Sequence, residues 1–146
     1  MDHAVGIDII EIERIERALA HFKDRFLRRV FTPMEVALFG ERPHELAARF
    51  AAKEAVMKAL GTGARGVGWR EIEVLPNRRG KPVVYLHGRA KERAALLGLS
   101  GLDVSMSHSR RYAVALAVGH CRPDDGEKER WRLHLGALLR ERGLLS

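Results

Sequence analysis

The stretch RFAAKEAVMKALGTGARG, Arg49 to Gly66, decides the fold. On a helical wheel of about 100° per residue, with Leu46 at the origin, Phe50, Met57 and Leu60 fall within about 40° of it. Lys53 lies inside the same stripe. Ala47, Ala48, Ala51, Ala52, Ala55 and Ala59 occupy much of the remaining surface, so no broad polar face exists and the segment reads as a central helix covered on several sides. The helix runs from about Pro43 or His44 to Leu60 and stops at Gly61. Glu54 and Lys58 then have two readings. They are an exposed i,i+4 pair contributing a few tenths of a kcal/mol, or charges among close-packed small residues that need a partner or a ligand. GTGARG has the spacing of a dinucleotide fingerprint without its context, because it follows a helix and leads toward a strand. Gly61 is a C-cap, and Gly63, Gly66 and Gly68 form a flexible loop whose backbone can approach a ligand closely.

Working outward, HAVGIDI predicts a strand from Ala4 to Ile7 that ends at Asp8. Ile12, Ile15, Leu19 and Phe22 then recur at helical spacing, with Glu11, Glu13, Arg14, Glu16 and Arg17 on the other faces. Asp8 also has two readings. The spacing of DIIE makes it an N-cap with Glu11 reaching back. Alternatively, a carboxylate at a strand end facing Glu54 on the central helix supplies hard oxygen ligands to Mg²⁺. Thr32, Pro33 and Glu35 open a short helix with a capping box, which runs to about Phe39. WREIEVLPNRRGKPVVYLHG predicts a hairpin turning at PNRRG, and RAKERAALLG a helix ended by Gly98. LDVSMSHSRRYAVALAVG predicts a second hairpin turning near His108 to Arg111, with Leu102, Val104 and Met106 opposite Asp103, Ser105 and Ser107.

This order of elements is that of an α+β fold: a single domain, over residues 1–122, with a largely antiparallel sheet, a central helix and flanking helices. RPDDG reads as a linker into a C-terminal extension over residues 123–146. There Trp131, Leu135, Leu138 and Leu139 form one apolar stripe, leaving Arg130, Arg132, Arg140 and Arg142 at its edges or outer face.

Composition narrows the function. The chain has 146 residues, and no run approaches the roughly 18 apolar residues that span a bilayer. The start MDHAVGIDII lacks the basic region and apolar run of a secretory signal, which points to the cytoplasm. Cys121 is the single cysteine, which excludes an intrachain disulfide and a cysteine-based zinc framework. A net charge of +7 predicts an anionic partner. A nucleic-acid-binding module would share that charge, but aromatic residues are 6% of the chain and no stacking motif is present. The spacing of Ser, His and Asp shows no hydrolase triad. His108 is a turn histidine or a phosphate contact beside Arg110 and Arg111. Arg78, Arg79 and Lys81 are a solvated turn or, in the minority reading, phosphate ligands.

Together GIDIIEIERI, RFAAKEAVMKALGTG, NRRGKP and DVSMSHS resemble the holo-acyl-carrier-protein synthases, the small bacterial phosphopantetheinyl transferases, over residues 4 to about 119. The resemblance implies transfer of the 4'-phosphopantetheine arm of coenzyme A to a serine of an acyl carrier protein. It also implies Mg²⁺, release of adenosine 3',5'-bisphosphate, a role in fatty acid biosynthesis, and a homotrimer with active sites between subunits. Asp8 and Glu54 match the family's metal-binding carboxylates, and Lys58 its lysine near the reacting phosphate. Arg49, Gly61, Lys81, Pro82, His108 and Ser109 match positions around coenzyme A, the last two reaching a neighbouring subunit's site. Arg14, with Arg17 beside it, matches the carrier-docking helix. The proton acceptor for the serine stays open between solvent at the metal and one of the two carboxylates. A carrier-binding protein without chemistry is the rival reading, and intact Asp8, Glu54 and Lys58 argue against it.

Overall fold

The computed structural model describes residues 3–122 and 124–146. Met1 and Asp2, the start of the N-terminal stretch, and Pro123, in the expected linker, lie outside the described residues. Strand β1 (Ala4–Glu11) leads into helix α1 (Ile12–Val30), followed by α2 (Pro33–Phe39), α3 (Pro43–Leu60) and a single helical turn α4 (Gly63–Gly66). A 3-10 turn (Trp69–Glu71) precedes the hairpin β2 (Ile72–Pro76) and β3 (Pro82–Leu86). Then come α5 (Gly88–Leu96), the hairpin β4 (Gly101–His108) and β5 (Tyr112–His120), and α6 (Glu127–Glu141). One antiparallel sheet has the order β1-β5-β4, and β2 pairs antiparallel with β3.

The alanines of α3 determine how closely this helix lies on the sheet. The inner face of β1 and β5 is built from small residues, Ala4, Gly6, Ala113, Ala115, Ala117 and Gly119, and α3 crosses them with its own alanines buried. At Gly6 the approach is so close that a Cβ would stand 1.9 Å from the carbonyl oxygen of Ala55. The expected central helix is therefore present, buried nearly all round. It ends at Gly61, which takes a left-handed conformation at φ 73° that glycine adopts without steric cost.

Several local expectations need correction. Strand β1 does not end at Asp8 but continues to Glu11, because Ile9 and Ile10 extend the alternation of exposed and buried positions. Asp8 is thus no N-cap. The cap position is Glu11, whose side chain makes no capping bond. Phe22 does not join the buried stripe of α1. The helix kinks there (φ −137°, ψ 30°) and leaves the ring exposed. Part of the glycine loop forms α4. Of the four arginines expected at the edges or outer face of α6, Arg132 is half-buried. Its Nε donates to Glu73 Oε1 at 2.7 Å. The capping box of Thr32 and Glu35 is present as expected.

Helix α6 folds back onto the body. Leu135 and Leu139 join Met34, Leu75 and Tyr85 in a second apolar cluster, and Trp131 Nε1 donates to Pro76 O at 2.8 Å. Beneath it runs a buried polar chain. Glu73 also accepts from Thr32 Oγ1 and meets His87 Nε2 at 3.1 Å, while Glu35 accepts from Lys53 Nζ at 2.8 Å and from the Val74 amide at 2.9 Å. Burial alone would raise the Glu73 carboxyl, but the hydrogen bonds from His87, Arg132 and Thr32 and the charge of Arg132 bring it down to about 2.

Candidate active site

Because β1 alternates, Asp8 shares the inner face with Ala4, Gly6 and Ile10, and its carboxylate enters the seam between sheet and α3. Lys58, one turn beyond Glu54 on α3, donates to Asp8 Oδ1 at 3.1 Å and to Ile7 O at 3.0 Å. The ion pair of Lys58 is therefore made with Asp8 on the strand, where the simplest sequence reading paired it with Glu54 on its own helix. Asp8 Oδ2 is buried and has no hydrogen-bond partner. Glu54 lies against Asp8, and its carboxyl is pushed up by burial and then by the neighbouring Asp8 charge, with Lys58 and Arg14 acting in the opposite sense. Arg14, exposed on α1, is therefore close enough for its charge to be felt at Glu54. Arg17, one turn further along, pairs loosely with Glu13 at 3.9 Å.

Two adjacent carboxylates, one with an unpartnered buried oxygen and the other held back from ionising by burial and then by its neighbour, form a donor set that fits a hard divalent cation. Such an ion binds few protein oxygens and completes its sphere with phosphate and water. Among the described residues no cluster of three or more His, Cys, Asp or Glu forms a richer metal site.

The other candidate residues are spread more widely. Gly61 closes α3 three residues beyond Lys58. Arg49 is buried within the chain. Its guanidinium bonds Val74 O and Glu45 and stacks on Phe39 at 3.7 Å, so this chain does not bring it to Asp8. Lys81 and Pro82 sit where the β2–β3 turn ends. His108 and Ser109 occupy the β4–β5 turn, where the His108 ring meets His44 at 5.4 Å. His44 lies at the start of α3 and Lys58 near its end, about 21 Å apart along the helix at 1.5 Å per residue. One chain therefore does not bring His108 to its own Asp8, Glu54 and Lys58. Sequence reasoning missed Gly6 and Glu73. The signal for Gly6 was its position among alternating apolar residues opposite an alanine-rich helix. Glu73 carried a signal only as an inward position of an otherwise apolar strand.

Comparison with known proteins shows the family. A family model described as the 4'-phosphopantetheinyl transferase superfamily matches residues 4–117. The holo-[acyl-carrier-protein] synthase of Moorella thermoacetica is 53% identical over 116 residues, covering 77% of this chain and 90% of its own. That of Herpetosiphon aurantiacus is 47% identical over 121 residues, covering 78% and 95%. Among solved structures, the Helicobacter pylori holo-[acyl-carrier-protein] synthase in complex with coenzyme A superposes with a TM-score of 0.72 at 33% identity, covering 79% of this chain and 98% of that one. The enzyme from Neisseria meningitidis gives 0.73 at 35% identity, covering 80% and 97%. The chain belongs to the 4'-phosphopantetheinyl transferase superfamily. Within that class it is an enzyme of the holo-acyl-carrier-protein synthase kind.

Proposed function

We propose that the enzyme moves the 4'-phosphopantetheine arm of coenzyme A to a serine hydroxyl of an apo acyl carrier protein. The reaction depends on Mg²⁺, releases adenosine 3',5'-bisphosphate and serves fatty acid biosynthesis in the cytoplasm. The observation that carries this reading is the cluster of Asp8, Glu54 and Lys58, with a buried Asp8 oxygen that lacks a partner. Asp8 and Glu54 would hold the cation, which when bound neutralises charge on the pyrophosphate. Lys58, more than half exposed, is free to leave Asp8 Oδ1 and pair with the departing phosphate. The Gly61 turn lets backbone come close to the donor, and Glu54, whose carboxyl is already pushed up, is one acceptor for the serine proton. Arg14 and Arg17 dock an acidic carrier beside these groups.

The same reading makes the active unit a homotrimer. Val5, Ile7 and Ile9 on the outer face of β1 stand beside Leu116 and Val118 of β5, an apolar surface that a soluble chain ordinarily covers. His108 and Ser109, remote from their own Asp8, would then serve a neighbouring subunit. No helix among the described residues is long and apolar enough to cross a membrane. Incubation with coenzyme A and apo carrier should release adenosine 3',5'-bisphosphate with Mg²⁺ present and stop when the metal is chelated. Release unaffected by chelation would refute the metal assignment.

A further inference from the structure

Helix α6 lies beyond residues 4–117, the part of the chain that the family model matches, yet it is fastened to one particular element of the body. Its side-chain hydrogen bonds to the body go to the β2–β3 hairpin. Trp131 Nε1 donates to Pro76 O at 2.8 Å, at the end of β2. Arg132 Nε donates to Glu73 Oε1 on the same strand at 2.7 Å, and Tyr85 on β3 donates its hydroxyl to Lys128 O at 2.8 Å. The Arg78 guanidinium, in the turn itself, lies over the Trp131 ring at 4.9 Å. Lys128, Trp131 and Arg132 follow one another at i, i+3 and i+4, so a single face of α6 holds both strands and the turn. Leu135 and Leu139 continue that face into the apolar cluster with Leu75.

The hairpin needs such support, because a two-stranded ribbon of five residues a side is marginal alone. Asn77 Oδ1 accepts from the amides of Arg79 and Lys81 at 2.9 and 3.0 Å, the Asn77 amide donates to Lys81 O at 2.8 Å, and Gly80 supplies a left-handed residue at φ 84°. Among the described residues these bonds stay within the turn, so they set its shape and not its direction. Direction comes from Trp131, which holds the turn on both sides of Asn77, at Pro76 O and at Arg78. Lys81 and Pro82, which the family resemblance puts around coenzyme A, are carried on this turn. A group displaced by about 1 Å from its ligand loses much of its effect.

We propose that Trp131 is a positioning residue for the donor: it aims the β2–β3 turn so that Lys81 meets coenzyme A, and the C-terminal extension thereby sets donor affinity. The proposal rests on the transferase reading. Asp8, Glu54 and Lys58 stand on other elements, β1 and α3, so the effect falls on KM for coenzyme A and not on kcat.

Calorimetry with coenzyme A and steady-state transfer kinetics, both on the full-length enzyme, test it. Trp131→Phe keeps a ring beneath Arg78 and removes only the donor to Pro76 O, so Kd and KM for coenzyme A should rise about threefold to tenfold. Trp131→Ala removes both contacts, and the rise should exceed about tenfold. In both variants kcat and the KM for the carrier should stay within about twofold of the parent. In a Lys81→Ala background, Trp131→Phe should change Kd by less than about twofold, because the group it aims is gone. The proposal is overturned if both Trp131 variants keep the parent's Kd for coenzyme A, whatever happens to their thermal transition, since α6 would then only stabilise the fold. It is also overturned if the Trp131 and Lys81 effects add in full, which would mean that Trp131 does not act through Lys81. A rise in the carrier KM alone would make the extension a docking element and equally overturn it. A parent that binds coenzyme A but transfers nothing would sink the transferase reading, while the Kd comparison still decides the role of Trp131. A parent that binds no coenzyme A overturns both.

Discussion

Asp8 occupies a costly position. A carboxylate on the inner face of β1 occupies a position that its neighbours Gly6 and Ile10 fill without charge, and its Oδ2 is buried without a partner. Such a group is expected to contribute little stability, since desolvation opposes its single bond to Lys58. Asp8→Asn should therefore stay within about 1 kcal/mol of the parent in urea unfolding and lose at least about a hundredfold in transfer rate. A destabilised variant that keeps its rate would make the residue structural. The carboxylate pair was legible in the sequence as one of two readings. The competing N-cap reading arose because DIIE has capping-box spacing by coincidence. The alternation of Val5, Ile7 and Ile9 with Gly6, Asp8 and Ile10 carries the strand past that point.

Among the elements, the contact between β1 and α3 determines where the site groups meet. Gly6 permits the strand to approach Ala55 and Ala59, and this approach brings Asp8 to Lys58. Gly6→Ala should push the two apart, lowering stability by about 3 kcal/mol and reducing transfer, as urea unfolding and turnover on one preparation will show. The buried character of α3 was legible from its alanines, which left no room for a solvated face. The partners of Lys53 and Arg49 were not, because Glu35, Val74 O and Glu45 come together only once α2, α3 and β2 pack.

The second link between elements is the bond from Arg132 on α6 to Glu73. The folded-state value of about 2 lies below the ordinary 4.5, so this carboxylate's stabilisation is fully present above pH 4.5 and is lost as the pH falls through 2. Arg132→Ala should raise the Glu73 value. The variant's deficit in unfolding free energy should then be greatest near neutral pH and shrink between pH 4.5 and 2. A deficit that does not change with pH would mean that Arg132 acts by packing alone.

For the whole molecule, the trimer reading bears on how many chains make one site. The outer face of β1 exposes Ile7 and Ile9, at 59% and 64%, while His108 stands at the far end of α3 from Lys58. On the trimer reading, Ile9→Lys should yield a folded single chain in sedimentation and lower transfer about tenfold or more. A trimeric variant would contradict that use of the face. Subunit contacts leave only this indirect mark in a single sequence, since an exposed apolar strand face and a buried one alternate alike. The most direct test of the enzyme's activity is the mass of an apo acyl carrier protein after incubation with this chain, coenzyme A and Mg²⁺, run beside Asp8→Asn. The predicted result is a gain of one phosphopantetheine per carrier with the parent and almost none with the variant. A carrier left unmodified by the parent, or modified equally by both, would contradict it.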